Sequence, residues 1–502
     1  MTPRLSFVVS PPARACRPWC LTMKEKPVLG PRFYLTPLIL TACVLAGGER
    51  LSARAPWKAG FAKVKITPHG SLWMAGYAAR THASQGTLLS LHAKALALED
   101  ESGHRAVLVT TDLLGLPRDV SEEIASRVQQ KYGLDRDQLL LNSSHTHSGP
   151  VLGTMLSVAY EGKHGINAEQ WEAVKVYTQF LEGQIVKVVG EALHNLQPAT
   201  LSLGHGEAGF AVNRRVRTAA GYVGGVNPQG PVDHDVPVLV VRNQHGKILG
   251  IVFGYACHNT TIGSDYYKFS GDYAGFAQLS LEKHYRGAVA IFVQGCGADA
   301  NPYPRWSKGQ SGVEFARQHG EELAQAVKNV TDGSLQPIGG LLKTAFKVFP
   351  VRFAGPPTRA DYEKHLNSDD IYVRKHAEEM LKIIDRDGHV PSSYPYSLEV
   401  WQFGSGLTFV ALAGEVVVDY DLRLKKEFGS DNLWVAGYSN DVFAYIPSER
   451  ILKEGGYEGG GAMIYYGQPG PFAPGIEGTI IGEVHELIES LRAQSQVAGT
   501  AR

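Results

Sequence analysis

Short apolar runs alternate with long amphipathic segments along most of this sequence, and that alternation limits the chain to a layered α/β fold. The predicted strands cover 106–110, 138–142, 236–242, 248–255, 288–293 and 432–436, and a hairpin joins 401–403 to 407–412. The predicted helices cover 120–132, 171–194, 313–330 and 479–493. We therefore expect a central mixed β-sheet flanked by helices, in one catalytic domain at 56–495, followed by a flexible tail at 496–502.

Composition excludes several classes of protein. The chain has 502 residues, of which 44% are apolar and 20% charged, and its 49 Lys and Arg balance its 49 Asp and Glu. Such values are typical of a globular domain with a large apolar core. A nucleic-acid partner is not expected, because such proteins usually carry a basic surface.

Residues 1–55 have the pattern of an export signal, with Met23 as the more natural start. Basic residues precede the apolar run 33–46, which is shorter than the about 20 residues that span a bilayer. Ala53-Arg54-Ala55 fits a cleavage site, and a lipoprotein-type site at Cys43 is the alternative. We therefore expect a periplasmic or extracellular protein, either released or lipid-anchored.

Two cysteines, Cys257 and Cys296, follow the signal region. A chain of this length with two cysteines is not a disulfide scaffold. Both lie beside polar segments that we expect to converge. The sequence therefore allows either a disulfide between them in an oxidising compartment or two free thiols.

Four predicted strands run out into polar clusters that contain metal-ligating residue types. The clusters are 142–150 (NSSHTHSGP), 256–261 (ACHNTT), 414–415 (GE) and 437–445 (GYSNDVFAY). Ligands of open α/β sheets bind in the crevice at the strand ends. The pattern therefore predicts a metal site at that edge of the sheet.

His145 and His147 form the sharpest of these signals. Alternate residues of an extended segment point the same way, so both imidazoles can face one site. Neutral imidazole is a common zinc ligand. The alternative is a hydrogen-bonded polar pair at a strand end.

The other three candidates each have an ordinary structural alternative. His258 follows a long apolar run and is either a ligand or a hydrogen-bonded core histidine. Glu415 either balances a cation or acts as the acid at a helix N-terminus. Tyr445 alone is typical of a half-buried tyrosine with a bonded hydroxyl.

Gly295-Cys296-Gly297-Ala298-Asp299-Ala300 matches the spacing of a dinucleotide-binding loop. That loop has to open a helix, whereas Asn301-Pro302-Tyr303-Pro304 follows here. We therefore do not assign a nicotinamide or flavin site.

In order along the chain, these segments resemble the neutral/alkaline ceramidase family, from about Gly60 to Gly467. The quoted segments are Gly60 to Thr67, Met74-Ala75-Gly76-Tyr77, His145 to Pro150, Ser270 to Gly275 and Tyr457-Glu458-Gly459-Gly460. The resemblance implies a zinc ion held by His145, His258, Glu415 and Tyr445. It also implies that His147 lies beside the metal near the substrate, and that Arg214 contacts the substrate.

The sequence departs from that family at two places. Asn301 occupies the position of a serine that matters for activity, and an asparagine can donate a hydrogen bond to an oxyanion but cannot act as a nucleophile. The 502 residues also leave little room for the family's C-terminal β domain.

The resemblance implies metal-assisted hydrolysis of an N-acyl bond, with a small-molecule or lipid substrate and an association with membrane surfaces. In that mechanism zinc activates a water molecule, His147 carries a proton, and Asn301 or Arg214 steadies the oxyanion. Two alternatives are an N-deacylase of amino sugars or other small N-acyl compounds, and a non-catalytic exported binding protein that retains the metal.

Overall fold

The computed structural model describes residues 57–160 and 165–500, with side chains up to residue 493. The signal region, its cleavage site and Cys43 lie outside the described residues. The strands are β1 Trp57–Lys65, β2 His92–Glu99, β3 Arg105–Thr111, β4 Leu139–Ser143, β5 Gln197–Glu207, β6 Ala211–Thr218, β7 Gly221–Asn227, β8 Asp235–Asn243, β9 Ile248–Tyr255, β10 Val289–Gln294, β11 Ala300–Pro302, β12 Gln336–Ile338, β13 Leu342–Arg352, β14 Ser393–Phe403, β15 Leu407–Leu412, β16 Glu415–Val416, β17 Leu433–Ala436 and β18 Tyr445–Ile446. The helices are α1 Arg118–Tyr132, α2 Ala168–His194, α3 Asp272–His284, α4 Val313–Asp332, α5 Arg359–His365, α6 Ile371–Asp387, α7 Val418–Phe428, α8 Glu449–Glu454 and α9 Ile476–Thr500.

The largest sheet has the strand order β10-β9-β8-β5-β1-β2-β3-β4, with β12 paired to β5. The pairs β9–β10 and β3–β4 are parallel, and the other pairs along this order are antiparallel. The expected mixed sheet is therefore confirmed. In both parallel pairs, the carboxyl ends of the strands lead into polar residues of the candidate site.

The strands of this sheet are apolar on both faces because each face packs against another layer. In β3, Val107 and Val109 face the helices α1 and α2, whereas Ala106 and Leu108 face the opposite side. This explains why the runs are almost continuously apolar rather than alternating.

A second sheet, with the order β13-β14-β15-β17, covers the face opposite those helices. Leu108 and Leu140 of the first sheet pack there against a cluster that contains Trp401, Phe409 and Trp434. The outer face of the second sheet is covered by α7 and α9. The chain thus forms helix, sheet, sheet and helix layers, one sheet more than the sequence predicted.

Several elements depart from the sequence-based expectation. The first strand of the hairpin was predicted at 401–403, but β14 already starts at Ser393 and pairs with β13 over its whole length. The closing helix α9 extends to Thr500, into the segment predicted to be a tail. Helix length and strand pairing at these places depend on distant packing, which a local pattern does not carry.

No helix in the part of the chain that the structure describes is both long enough and apolar enough to cross a membrane.

Candidate active site

The polar clusters at four strand ends meet in one place. His145 follows β4, and His258 follows β9. Glu415 and Tyr445 are register partners in the short parallel pair of β16 and β18. The convergence expected from the sequence is therefore present in the structure.

Three buried amides hold these strand ends together. The Asn142 side chain donates to Gly437 O at 2.8 Å, and its oxygen accepts from the Gln294 backbone at 2.9 Å. The Asn259 side chain donates to Gln294 Oε1 at 3.1 Å. Because β4, β10, the segment after β9 and the segment after β17 share this network, they carry their side chains on one rigid support.

The backbone is strained around the same point. His145, Asp272, Tyr438 and Asn440 have φ angles of 59°, 52°, 51° and 62°. Each left-handed non-glycine residue costs about 1–3 kcal/mol, and such residues concentrate at functional sites. At His145 this conformation turns the side chain toward Glu415.

The ligand-type side chains converge on one carboxylate oxygen. His145 Nε2 lies 3.1 Å and His258 Nε2 lies 3.2 Å from Glu415 Oε2. The Tyr445 hydroxyl lies 3.3 Å from His258 Nε2. All four side chains are at least 95% buried.

The outer nitrogens of both histidines are fixed by backbone carbonyls. His145 Nδ1 lies 2.7 Å from Leu114 O, and His258 Nδ1 lies 2.8 Å from Gly297 O. Each Nδ1 must therefore donate, which leaves the Nε2 lone pairs aimed at the Glu415 carboxylate. Lone pairs and an anion that face one another need a cation between them, so these residues fit a metal ion.

The charges in this cluster follow from its burial. Burial would raise the pKa of Glu415, but the neighbouring His145 and His258 hold it well below its usual range. Burial, with Arg214 nearby, lowers the pKa of His258 to about 4. At neutral pH the cluster therefore presents a carboxylate and a neutral His258 imidazole, as a metal site requires.

His147 stands beside this cluster and differs from the other two histidines. Its Nε2 lies 3.2 Å from His145 Nε2, and its Nδ1 is buried without a hydrogen-bond partner. Burial and the two nearby histidines lower the pKa of His147 well below its ordinary value. Gly76, at φ 94°, makes room for this ring, because a Cβ there would lie 2.5 Å from His147 Cγ.

Within the described residues, one ring nitrogen from each of His145, His147 and His258 also lies within 4.8 Å of the other two. A three-histidine metal site is therefore a geometric alternative to the set with Glu415 and Tyr445.

Arg214 touches the cluster from the β6 side. Its Nη2 donates to the Tyr445 hydroxyl at 3.0 Å, and its Nη1 lies 3.3 Å from His258 Nε2. Its Nε donates to Glu458 at 2.7 Å, and Glu458 also accepts from Arg215 at 2.5 Å. Despite burial, Tyr445 and Glu458 raise the pKa of Arg214 well above its ordinary value, so it stays charged.

The structure places Asn301 differently from the other candidates. Its side-chain oxygen accepts a hydrogen bond from Thr260 Oγ1 at 3.2 Å. Within the described residues, no hydrogen bond joins it to the four predicted ligands. Its neighbour Ala300 accepts from the His258 backbone at 3.0 Å, so Asn301 borders the site without contacting its centre.

Cys257 and Cys296 are both buried free thiols. The disulfide that the sequence left open is absent from the structure. Burial raises the pKa of both thiols well above the ordinary value, so neither is a nucleophile at neutral pH.

The sequence did not predict several contacts at the site. The Tyr466 hydroxyl donates to Glu415 Oε1, and the Tyr438 ring lies 4.4 Å from that of His145. Glu458 was noted only as part of a segment, without its role as the partner of Arg214. Local sequence gives no signal for the two tyrosines, because their importance comes from contacts across distant segments.

Residues 57–314, just over half of the chain, match the model of a family described as neutral/alkaline non-lysosomal ceramidase, N-terminal. The chain belongs to the neutral/alkaline non-lysosomal ceramidase family. The neutral ceramidase of Pseudomonas aeruginosa is 27% identical over 288 residues, which cover 54% of this chain and 41% of that relative. Neutral ceramidase A of Dictyostelium discoideum is 26% identical over 277 residues, which cover 51% of this chain and 37% of the relative. The match thus spans less than half of either ceramidase.

The crystal structure of neutral ceramidase from Pseudomonas aeruginosa aligns with this fold at a TM-score of 0.65 and 19% sequence identity. The alignment covers 84% of this chain and 72% of the ceramidase chain, so the shared fold extends beyond 57–314. The family match contains His145, His147 and His258, whereas Glu415 and Tyr445 lie outside it. Their assignment to the site rests on the geometry described above.

Proposed function

We propose that this protein is an exported, zinc-dependent hydrolase that cleaves an N-acyl amide bond in the manner of a ceramidase. The observation that carries the proposal is the convergence of His145, His258 and Tyr445 on the Glu415 carboxylate, in a chain of the ceramidase family. Export rests on the pattern of residues 1–55, and association with a membrane surface on the family's lipid substrates.

His145, His258, Glu415 and Tyr445 would hold the metal. Two imidazoles with a carboxylate and a phenol oxygen make a four-coordinate donor set that suits zinc. When bound, zinc would activate water for attack and polarise the scissile carbonyl. We favour this set over the three histidines because Glu415 Oε2 lies within 3.2 Å of both Nε2 atoms and supplies the negative charge.

His147 would move the proton. Its low pKa keeps the imidazole neutral at pH 7, and Nδ1 is free to accept a proton. A positioned general acid or base of this kind contributes typically about 10²–10⁴-fold to turnover. We assign to His147 the transfer of a proton to the leaving amine.

Arg214 and Asn301 would act on the acyl carbonyl in different ways. Arg214 is already hydrogen-bonded to Tyr445, so it orients that phenol and contributes positive charge. The oxygen of Asn301 is engaged by Thr260, which leaves its amide N–H groups as the donors for an oxyanion.

Two other functions stay under test. An N-deacylase of amino sugars or other small N-acyl compounds would use the same metal and a different pocket. A non-catalytic binding protein would keep the metal without turnover, although it would have no use for a neutral His147 beside the ligands.

A hydrolysis screen of the purified protein tests the proposal. Ceramides, N-acyl amino acids and N-acetyl hexosamines would be assayed with and without a chelator, followed by zinc add-back. We expect turnover of at least one N-acyl class that chelation removes and zinc restores. Full turnover in chelator would overturn the metal mechanism, and metal binding without any turnover would favour the binding protein.

Two variants distinguish the four-residue metal site from the three-histidine site. Tyr445→Phe should lower zinc content by elemental analysis if the four-residue set is right, whereas His147→Ala should leave zinc bound. The opposite pattern would support the three-histidine site.

A further inference from the structure

Arg80 is a buried arginine with unused hydrogen-bonding capacity. Arg80 is 3% exposed, and its Nη1 donates to Ala75 O at 2.6 Å. In the part of the chain that the structure describes, its Nε and Nη2 find no hydrogen-bond partner. Within the described residues, no carboxylate forms an ion pair with it.

Such an arrangement is costly, because a buried charge normally needs an ionic or hydrogen-bonding partner. Burial lowers the pKa of Arg80 to about 10, which still leaves the guanidinium charged at neutral pH. Buried polar groups are normally hydrogen-bonded, so an unpartnered one points to a partner outside the protein chain, such as a water molecule, an ion or a ligand.

The position of Arg80 connects it to His147. Its guanidinium lies 5.0 Å from the centre of the Tyr77 ring, and that ring lies 4.8 Å from the His147 ring. The guanidinium is thus no farther from the His147 ring than the sum of these two distances.

The loop that carries Arg80 is held in place. The Tyr77 hydroxyl donates to Ile262 O at 2.9 Å, and the Gly76 backbone donates to the Tyr160 hydroxyl at 3.1 Å. Burial raises the pKa of Tyr160 to about 12, so its hydroxyl is neutral at pH 7 and cannot balance the charge of Arg80. These two hydrogen bonds therefore hold the loop that places Arg80 over the Tyr77 ring.

A second cation strengthens the positive potential. Arg305 is half-buried, lies 5.2 Å over the Trp306 ring, and makes no ion pair within the described residues. Trp306 in turn packs against the edge of Tyr77 at 6.2 Å. Arg80 thus lies over Tyr77 and Arg305 over Trp306, two rings in contact with each other, and a neutral substrate would leave both charges unmatched.

We propose that Arg80 binds an anionic group on the amine portion of the substrate, so that the substrates are N-acyl amino acids. This proposal rests on the proposed function. The amine portion is chosen because His147, which we assign as the proton donor to the leaving amine, and Arg80 both lie against the Tyr77 ring. In the reaction, water adds to the carbonyl carbon, the C–N bond breaks, and the products are a carboxylic acid and the amino acid, whose nitrogen takes up the proton.

The test compares each acid with its neutral counterpart. N-acetylglycine, N-octanoylglycine and N-lauroylglycine would be assayed beside the matching glycinamides, with dissociation constants measured by calorimetry in parallel. N-acyltaurines form a further arm, because a sulfonate can also accept from guanidinium. The parent should favour the acid of the preferred chain length by about 10–100-fold in kcat/KM, as expected for hydrogen bonds to a charged group.

Variants locate the preference at Arg80. Arg80→Met should lose about 10–100-fold on the acid and little on the amide, and Arg80→Lys should recover part of the loss. Arg286→Gln, an exposed arginine, is the matched control and should change neither substrate. Equal losses on acid and amide would overturn the proposal.

The parent protein decides the matter even if the variants do not fold. A parent that treats acid and amide alike, or prefers the amide, overturns the proposal while leaving the amidase function intact. If no compound of this panel is hydrolysed, the calorimetry still decides: tighter binding of the acid supports the role of Arg80, and equal binding refutes it. The proposed function itself is judged by the wider hydrolysis screen, which includes ceramides and N-acetyl hexosamines.

Discussion

Two buried arginines border the site, and their surroundings differ. Arg214 donates to Glu458 and Tyr445, so its charge is matched within the protein, and its pKa is raised well above the ordinary value. Arg80 donates to one backbone carbonyl, has two unpartnered nitrogens, and has a pKa lowered to about 10 by burial.

The difference suggests two roles: Arg214 holds other residues of the site in place, whereas Arg80 is free to bind a ligand. An arginine whose donors are all engaged fixes its neighbours and has little left to offer a ligand. An arginine with free donors destabilises the unliganded protein and gains when an anion arrives. The charge of Arg214 is therefore balanced within the protein, whereas the charge of Arg80 would be balanced only by a bound substrate.

The largest expected loss of turnover follows from removing a proposed metal ligand near Arg214. His145→Ala should abolish turnover, with a loss greater than the about 10²–10³-fold that follows loss of one oxyanion donor, because nucleophile and Lewis acid depend on the same metal. Zinc content and kcat/KM on the best substrate of the screen are the measurements. His245→Ala, in an exposed turn, is the control. Parent-like turnover by His145→Ala would show that the zinc mechanism is wrong.

The free energy of unfolding should respond differently to the loss of each arginine. Arg214→Met leaves the buried Glu458 short of a partner and should lower the free energy of unfolding by about 3–5 kcal/mol. Arg80→Met leaves no carboxylate without its ion-pair partner, so this variant should unfold at the same denaturant concentration as the parent or a higher one. Urea unfolding at pH 7 measures both, with Arg286→Gln as reference. A large destabilisation by Arg80→Met would mean that its charge is satisfied in the free protein.

The pH dependence of stability sharpens the same comparison. Burial would raise the pKa of Glu458, but Arg214 and Arg215 hold it below the ordinary value. A carboxyl whose pKa is lowered in the folded state contributes stability above its unfolded pKa, near 4.3, and loses it as the pH falls through the folded value. The gap in unfolding free energy between parent and Glu458→Gln should therefore be constant from pH 7 to 6 and shrink below about pH 4.

The control for that experiment is Glu489→Gln, which changes an exposed carboxyl on α9. Its gap to the parent should stay small at every pH. A gap for Glu458→Gln that is unchanged down to pH 3 would contradict the ion pairs with Arg214 and Arg215.

The smallest effect concerns the two thiols near the Arg214 side. Cys257 and Cys296 are buried with raised pKa values, so alkylation of the native protein should be slow at pH 7. After denaturation without reductant, peptide mapping should find both alkylated. A linked Cys257–Cys296 peptide would contradict the structure.

The sequence predicted much of the fold where burial on both faces leaves a clear pattern. The runs at 248–255 and 288–293 became β9 and β10 within one residue of the predicted bounds. By contrast, β6 and β7 form a largely exposed hairpin rich in glycine and arginine, and no apolar period marks it. The second sheet as a separate layer was also not predicted, because a strand's pattern does not say which layer covers it.

What the sequence determined by itself was the set of strand ends and the residue types they carry, since apolar periodicity and polar termini are local properties. It placed His145, His147, His258, Glu415 and Tyr445 at such ends, and the structure brings them together. Only the tertiary structure decided which polar atoms are satisfied. Glu458 reaches Arg214 across 244 positions of the chain, whereas no carboxylate among the residues that the structure describes forms an ion pair with Arg80. Hydrogen bonds and ion pairs act over a few ångströms in space, so a sequence can supply both arginines without showing which one is left for the substrate.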